Sequence, residues 1–192
     1  MSFSVEGAWT RQSVSVDGGE PFETQRVYWL QAGPCYADLR VPFHPSAGIG
    51  CFGGRSGWDG ECYRWSHRLD LAGFDGDDVG SLTWDGERLI ERGVIGADRY
   101  AYEEVWVRLP GSEPRSSCET QEAPDGCHVQ VGGHAITIVD DRPAGGSFRA
   151  SYRVLGPDGW QTSAAIGDPE VGALNLCRVH STNSAHLTEQ PR

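Results

Sequence analysis

The sequence predicts an all-β protein built around an antiparallel up-and-down β-barrel. Glycine is abundant, with 26 residues, and many glycines stand in Asp-Gly or Gly-Gly pairs that are typical of tight turns. Between these turns, short runs alternate apolar and polar residues, as strands do. No long segment has apolar residues at helical spacing. Closure into a barrel also removes exposed sheet edges, so we predict one barrel domain over residues 1–192.

The alternating runs define the expected strands in order. We place them at residues 7–16, 24–31, 35–41, 62–71, 81–84, 87–91, 100–109, 127–131, 134–140, 148–155, 160–166 and 173–180. Residues 42–61 contain a Gly-rich stretch and are expected to form a long loop, a candidate lid over the barrel. Residues 181–192 are expected to be a flexible tail.

Composition excludes several classes of function. The formal net charge is −11, and all 16 basic residues are arginine, so neither a Schiff-base lysine nor a phosphate-loop lysine exists. Without a basic stripe, nucleic acid and anionic membranes are not expected partners. The sequence shows no signal peptide and no apolar membrane span. We therefore expect a cytoplasmic chain whose six cysteines are reduced, several of them in the core.

Residues 28–42 show the most informative pattern. They form two strands joined by an Ala32-Gly33-Pro34 turn. Since alternate residues of a strand face opposite sides, one face of the second strand carries only apolar residues, namely Cys35, Ala37, Leu39 and Val41. The opposite face carries Tyr36, Asp38 and Arg40. Either this polar row lines the barrel interior or it forms an outward ion pair; we favour the inward direction.

Two further strands present aromatic faces that carry ionisable residues. One face contains Tyr63, Trp65 and His67, and another contains Tyr102, Glu104 and Trp106. Converging inside a barrel, they form an aromatic cavity with a few polar groups, as small-molecule sites do. The catalytic candidates are Asp38, Arg40, His67 and Glu104, since a His or carboxylate moves protons and an Arg stabilises negative charge. The ligand-binding candidates are Trp29, Tyr36, Arg55, Trp58, Trp65, Tyr102 and Trp106.

Structural roles stand beside these chemical ones. A buried His67 is also consistent with a purely structural histidine, and Glu104 is expected to pair with Arg40, Arg64 or Arg68. The histidines show no metal-ligand spacing, so no metal site is predicted. The Gly-rich stretch lacks the features of a phosphate loop, so no nucleotide cofactor is predicted.

Two motifs resemble a known family. Gly7-Ala8-Trp9 resembles the Gly-x-Trp that opens the first strand of lipocalin-like (calycin) barrels. In that family the Trp closes the barrel floor and an Arg from a late strand packs across it; the resemblance assigns this part to Arg178. Trp29-Leu30-Gln31 and residues 38–42, Asp-Leu-Arg-Val-Pro, with Trp65 and Glu104, are similar to a family of uncharacterised bacterial lipocalin-like proteins. The similarity covers residues 7–109 and implies a fold, not an activity.

The functional expectation follows from this fold and these residues. We expect a small hydrophobic or aromatic metabolite to bind in the cavity, entering past residues 51–61. A cofactor-free acid–base reaction, such as cyclisation, isomerisation or dehydration, is compatible with Glu104 or Asp38, His67 and Arg40. The alternative is a structural or interaction barrel whose core is filled by Trp29, Trp65 and Trp106. The sequence leaves the oligomeric state open.

Overall fold

A computed structural model describes residues 4–96, 99–113 and 117–167. This part of the chain is nearly all β, with one short 3₁₀ helix at Arg142–Ala144. Its first eight strands form a closed antiparallel barrel, which confirms the predicted fold class. The described residues include no helix long and apolar enough to cross a membrane.

The barrel is an up-and-down meander in which each strand pairs with the next, and β8 pairs back with β1. Its strands are β1 (Gly7–Val16), β2 (Gln25–Ala32), β3 (Cys35–Pro42), β4 (Gly50–Trp58), β5 (Tyr63–Asp70), β6 (Asp77–Asp85), β7 (Arg88–Ile95) and β8 (Tyr100–Arg108).

Five later strands form a separate sheet. They are β9 (Cys118–Ala123), β10 (Gly126–Val131), β11 (His134–Asp140), β12 (Phe148–Gly156) and β13 (Gly159–Ile166). Each of these strands pairs with the next one in the chain. The barrel is therefore complete at Arg108, whereas the sequence analysis had placed residues 1–192 in one barrel. The predicted strand at 173–180 and the tail at 181–192 lie outside the described residues.

The second sheet covers the outside of the barrel over β2 and β3. The apolar face of β3 packs there, with Ala37 and Leu39 against Ile136 and Ile138 in one buried cluster. Cys35, Cys51 and Cys127 also belong to this outer core. The opposite face of β3 points into the barrel, where Tyr36 and Asp38 are buried. The polar row thus takes the inward direction that we favoured.

The Gly-rich segment is a strand, so the predicted loop at 42–61 was wrong over Gly50–Trp58. Two of its glycines, Gly53 and Gly54, are required by close neighbours. A Cβ at Gly53 would lie 3.0 Å from Ile138 Cδ1 of the second sheet, and one at Gly54 would lie 2.1 Å from the Ser66 carbonyl oxygen of β5. The missing side chains conceal the alternation in the sequence, and they also allow β4 to fit between its neighbours.

Arg108 explains why the Gly7-x-Trp9 motif has a glycine before the tryptophan, because its guanidinium fills the space beside Gly7. The Arg108 guanidinium lies 4.2 Å from the centre of the Trp9 ring, and its Nη1 donates to the Glu6 and Ser112 carbonyls. A Cβ at Gly7 would lie 1.9 Å from that Nη1. Arg108 on β8 therefore packs across Trp9, whereas Arg178, which the resemblance assigned to this part, lies outside the described residues.

Replacement of Gly7 by alanine should destabilise the barrel, because the new methyl group displaces Arg108 from Trp9. Steric insertion of this kind costs about 1–3 kcal/mol, measurable as a lower free energy of unfolding in urea. Gly57→Ala on β4 is the control, since a Cβ there meets nothing within 4 Å. Equal stability of the two variants would contradict the proposed close fit at Gly7.

Candidate functional site

One half of the barrel interior is filled by aromatic side chains. Trp29 is edge-on to Trp65 and Trp106, with ring centres 5.9 and 5.4 Å apart, and is stacked on Trp9 at 6.1 Å. Such edge-on pairs are favourable because ring edges are positive and ring faces negative. The apolar members of this buried cluster are Val5, Trp9, Val27, Trp29, Tyr36, Tyr63, Trp65, Leu82, Leu89 and Trp106.

The other half of the interior contains two adjoining cavities. The larger one, which we call the mouth cavity, has a volume of about 280 Å³. It is lined by Arg11, Val14, Val16, Phe22, Thr24, Gln25, Arg40, Asp78, Val79, Glu91, Val94, Ile95, Tyr102 and Glu104. The smaller one, the floor cavity, has about 30 Å³ and is lined by Trp29, Tyr36, Asp38, Arg40, Phe52, Trp65, Asp78, Glu91 and Trp106. Arg40, Asp78 and Glu91 line both.

Arg11 lies on the same face of β1 as the buried Trp9 and lines the mouth cavity. The pairing of β1 with β8 shifts between Arg11 and Ser13, so that both Arg11 and Val14 line the cavity. Arg11 Nε donates to Glu23 over 2.7 Å, and Nη1 donates to Glu104. Burial alone would lower the pKa of Arg11, but Glu23 and Glu104 raise it overall. Arg11 is thus the partner of Glu104, and the predicted choice among Arg40, Arg64 and Arg68 was wrong.

Arg40 is paired with its own strand neighbour. Its Nε donates to Asp38 Oδ1 over 2.9 Å and its Nη2 to Asp38 Oδ2 over 3.4 Å. The guanidinium also lies 4.9 Å from the centre of the Phe52 ring. Burial would lower the pKa of Arg40, but Asp38 and the nearby Glu104 raise it above its ordinary value. The positive charge of Arg40 is therefore already paired with the carboxylate of Asp38.

Glu91 is a site residue that the sequence analysis missed. Its two oxygens accept hydrogen bonds from the Tyr102 hydroxyl at 2.7 Å and from Trp106 Nε1 at 3.1 Å. Directly across the β7–β8 ladder stands Glu104. Burial and then the charge of Glu104 raise the pKa of Glu91 to about 8. Leu89 and Glu91 share one face of the predicted strand at 87–91, but only the pairing of β7 with β8, which places them opposite Trp106 and Glu104, shows that this face points inward.

Tyr36 has an unusual buried hydroxyl. The residue is 1% exposed and lines the floor cavity. Its hydroxyl is buried and has no hydrogen-bond partner among the described residues. Burial raises its pKa well above the ordinary value, so the hydroxyl is neutral. A buried hydroxyl of this kind favours a polar partner, and the floor cavity has space for a single small polar group.

His67 lines a different cavity from Glu104. Its Nδ1 lies 2.8 Å from Asp70 Oδ2 and its Nε2 lies 3.1 Å from Asp78 Oδ2, while the ring stacks on Phe52 at 4.4 Å. Burial lowers the pKa of His67, but the two carboxylates outweigh it and raise the pKa overall. His67 and Asp70 belong to a neighbouring cavity of about 310 Å³ that also includes Phe74. His67 and Glu104 therefore do not form one acid–base pair.

The remaining predicted residues divide into two groups. Trp29, Tyr36, Asp38, Arg40, Trp65 and Trp106 line the floor cavity, and Arg40, Tyr102 and Glu104 line the mouth cavity. Arg55 and Trp58 line neither cavity; both lie on β4, in the part predicted as a loop. Arg55 donates to Glu122 of the second sheet over 2.7 Å, and Trp58 is 45% exposed at the last residue of β4. Among the described residues, no group of three or more His, Cys, Asp or Glu is placed to hold a metal ion.

The described chain is thus a closed eight-stranded antiparallel barrel whose buried aromatic cluster and adjoining cavities fit the binding of a ligand. No protein-family model and no curated protein matches this sequence. Its fold is similar to the crystal structure of an uncharacterised protein from Saccharomyces cerevisiae. The two share 16% identity with a TM-score of 0.64, over 84% of this chain and 85% of the yeast chain. At that identity the likeness shows the fold alone.

Substitution of Glu91 by glutamine should change how stability depends on pH. Between about pH 4.5 and 8 the folded protein holds a proton on Glu91 that the unfolded chain has released, so this residue makes stability fall as pH rises. Each unit of pKa difference corresponds to about 1.4 kcal/mol. We expect the free energy of unfolding of Glu91→Gln, relative to the native sequence, to rise by more than about 1 kcal/mol from pH 5 to pH 9.

Urea unfolding followed by tryptophan fluorescence at pH 5, 7 and 9 measures this difference. Glu103→Gln is the matched control, because Glu103 is a half-buried residue next to Glu104 on the same strand and bonds to Arg92. If both variants follow the native pH profile, Glu91 does not hold a proton in the folded state.

Replacement of Asp78 by asparagine should lower the pKa of His67, because it removes one of the two charges that stabilise the imidazolium. An NMR titration of the ring nitrogens, assigned with His67→Gln, measures the shift. Asp77→Asn is the control, since Asp77 accepts from Ser66 and not from His67. A His67 pKa that is unchanged in Asp78→Asn would contradict the contact.

Proposed function

We propose that this protein binds a small organic molecule in the mouth cavity, at the open end of the barrel. The observation that carries the proposal is the cavity itself, about 280 Å³ in volume, enclosed by a closed barrel. Small-molecule sites are concave and largely apolar, with a few polar groups that fix orientation. Here Arg40, Glu91 and Tyr36 lie at the inner end, above tryptophan rings.

Apolar side chains surround the opening. The connections after β1, β3 and β5 and the end of β7 each expose such residues. Clustered exposed apolar residues are typical of binding sites. The exposed apolar residues at this end are Phe22, Phe43, Ile49, Phe74, Val94 and Ile95. Phe22, Val94 and Ile95 also line the mouth cavity. We infer that the ligand places an apolar body at the rim and a polar group toward the floor.

The opening lies at the other end of the barrel from the β4–β5 turn. The mouth cavity adjoins the ends of β1, β3 and β7 and the start of β8. Trp58 and Cys62 flank the β4–β5 turn, which lies at the tryptophan-filled end beside Tyr63. A ligand therefore enters beside Phe22 and Ile95 and not past residues 51–61. The alternative of a core filled by Trp29, Trp65 and Trp106 applies to the tryptophan-filled half of the barrel and leaves the mouth cavity at the other end.

A cofactor-free acid–base reaction is the second candidate function. Glu91 favours it, because a carboxyl group with a pKa of about 8 exchanges its proton near neutral pH, as general acids and bases must. Asp38 and Glu104 are engaged by guanidinium groups, so the proton-transfer role falls to Glu91.

A lipocalin-like affiliation is also part of the proposal. It is supported by Gly7, Trp9 and the guanidinium of Arg108 across the Trp9 ring.

Tryptophan introduced at Val16 should fill the mouth cavity and weaken binding. N-phenyl-1-naphthylamine, a neutral apolar fluorophore, is the probe, and we expect its Kd to rise at least tenfold in Val16→Trp. Ser15→Trp is the matched control, since Ser15 is the adjacent residue of β1 and lies on its other face. Equal affinity in a folded Val16→Trp variant would place binding outside this cavity. Native mass spectrometry of the purified protein tests directly for a retained small molecule.

A further inference from the structure

We propose that the molecule bound in the mouth cavity is an organic cation, whose ammonium group sits at the floor against Glu91 and the tryptophan rings. This inference rests on the proposed function and names the chemical class of its ligand.

Among the described residues of the site, Glu91 is a carboxyl group that accepts hydrogen bonds from neutral donors and has no bond to an arginine. Glu104 and Glu23 both bond to Arg11, and Asp38 bonds to Arg40. Glu91 accepts from the hydroxyl of Tyr102 and the indole of Trp106. Buried carboxylates are usually paired with a cation. An ammonium group at the floor would complete for Glu91 the pairing that its neighbours obtain from arginine.

The surroundings of Glu91 suit a cation. Trp29, Trp65 and Trp106 line the floor cavity, and the faces of such rings attract ammonium groups. The Tyr36 hydroxyl, buried at the same floor and without a partner among the described residues, offers an oxygen to an N–H donor. This unsatisfied atom is independent of the carboxyl groups and points to the same kind of ligand.

The balance of charge also favours a cation over an anion. The ionisable side chains that line the two cavities are the carboxyl groups of Asp38, Asp78, Glu91 and Glu104 and the guanidinium groups of Arg11 and Arg40. Both arginines already contact carboxylates of the protein, so an anionic ligand would have to compete for them. The net charge of the chain, −11, adds a long-range attraction for cations.

Binding of a cation by Glu91 must be linked to pH. The groups around Glu91 are Glu104 and Tyr102 on β8, Arg11 on β1, Asp38 and Arg40 on β3, and Asp78 on β6. An ammonium group favours the carboxylate form, so Glu91 releases its proton when the ligand binds below its free pKa of about 8. The apparent affinity therefore rises with pH, by up to about tenfold per unit between pH 6 and pH 8.

Three probes with one apolar body test the class of ligand: 3-phenylpropylammonium, 3-phenylpropanoate and 3-phenyl-1-propanol. Isothermal titration calorimetry on the full chain gives each Kd at pH 6, 7 and 8. We expect the ammonium to bind at least tenfold tighter than the carboxylate at pH 8, and to release close to one proton at pH 6–7, measured in two buffers of different ionisation enthalpy. Glu91→Gln should abolish the proton release and most of the preference. Glu103→Gln, on the outer face, should change neither.

The outcomes separate the two proposals. If the carboxylate binds as tightly as the ammonium, or if Glu91→Gln leaves the pH dependence unchanged, the cation inference is overturned. If the alcohol binds and Val16→Trp blocks it, the cavity still binds small molecules, whatever their charge. If none of the three probes binds, and native mass spectrometry and N-phenyl-1-naphthylamine show no ligand either, the proposed function itself fails. Circular dichroism of each variant confirms that it is folded.

Discussion

The structure depends on a strand, β3, that is buried on both of its faces. Its outward residues, including Ala37 and Leu39, lie under the second sheet, and its inward residues, including Tyr36 and Asp38, lie in the barrel. A register slip of one residue would exchange the two sets and place Asp38 in an apolar core. The energetic cost of an unpaired buried charge is several kcal/mol, so this alternation determines which residues can form a site and on which side of the sheet they stand.

The inward charges are arranged largely as neutralised pairs. Arg11 shares the inward face of β1 with Trp9 and reaches Glu104 on β8, and Arg40 folds back on Asp38. Glu91 stands directly opposite Glu104 on the next strand, and two like charges at that distance disfavour each other. One carboxyl group therefore remains protonated near neutral pH or requires a cation from outside. That asymmetry gives the cavity its chemistry.

Periodicity predicted much of this arrangement, because alternation assigns faces within a strand. The inward row of β3 and the aromatic faces around Trp65 and Trp106 were identifiable for that reason. Alternation does not say what covers a face, so residues 118–166 could not be separated from the barrel. Strand β4 was missed because its glycines have no side chains to alternate. Glu91 was missed because its importance comes from Glu104 and Trp106 across the ladder, and strand pairing is not written in local sequence. The predicted partner of Glu104 was wrong because Arg11 reaches it from β1, which pairs with β8 only when the barrel closes.

The pairing of Arg11 with Glu104 joins residues 93 positions apart in the chain. The two lie on β1 and β8, the strands whose contact closes the barrel. During synthesis, the cavity therefore cannot exist until β8 has emerged and paired with the strand made first. Pairing over so long a separation is entropically costly and slow. A ligand in the proposed site, between β1, β7 and β8, would hold these strands together, so its release would favour opening of the barrel at the contact between β1 and β8. Occupancy of that site would then slow unfolding and lengthen the lifetime of the folded protein.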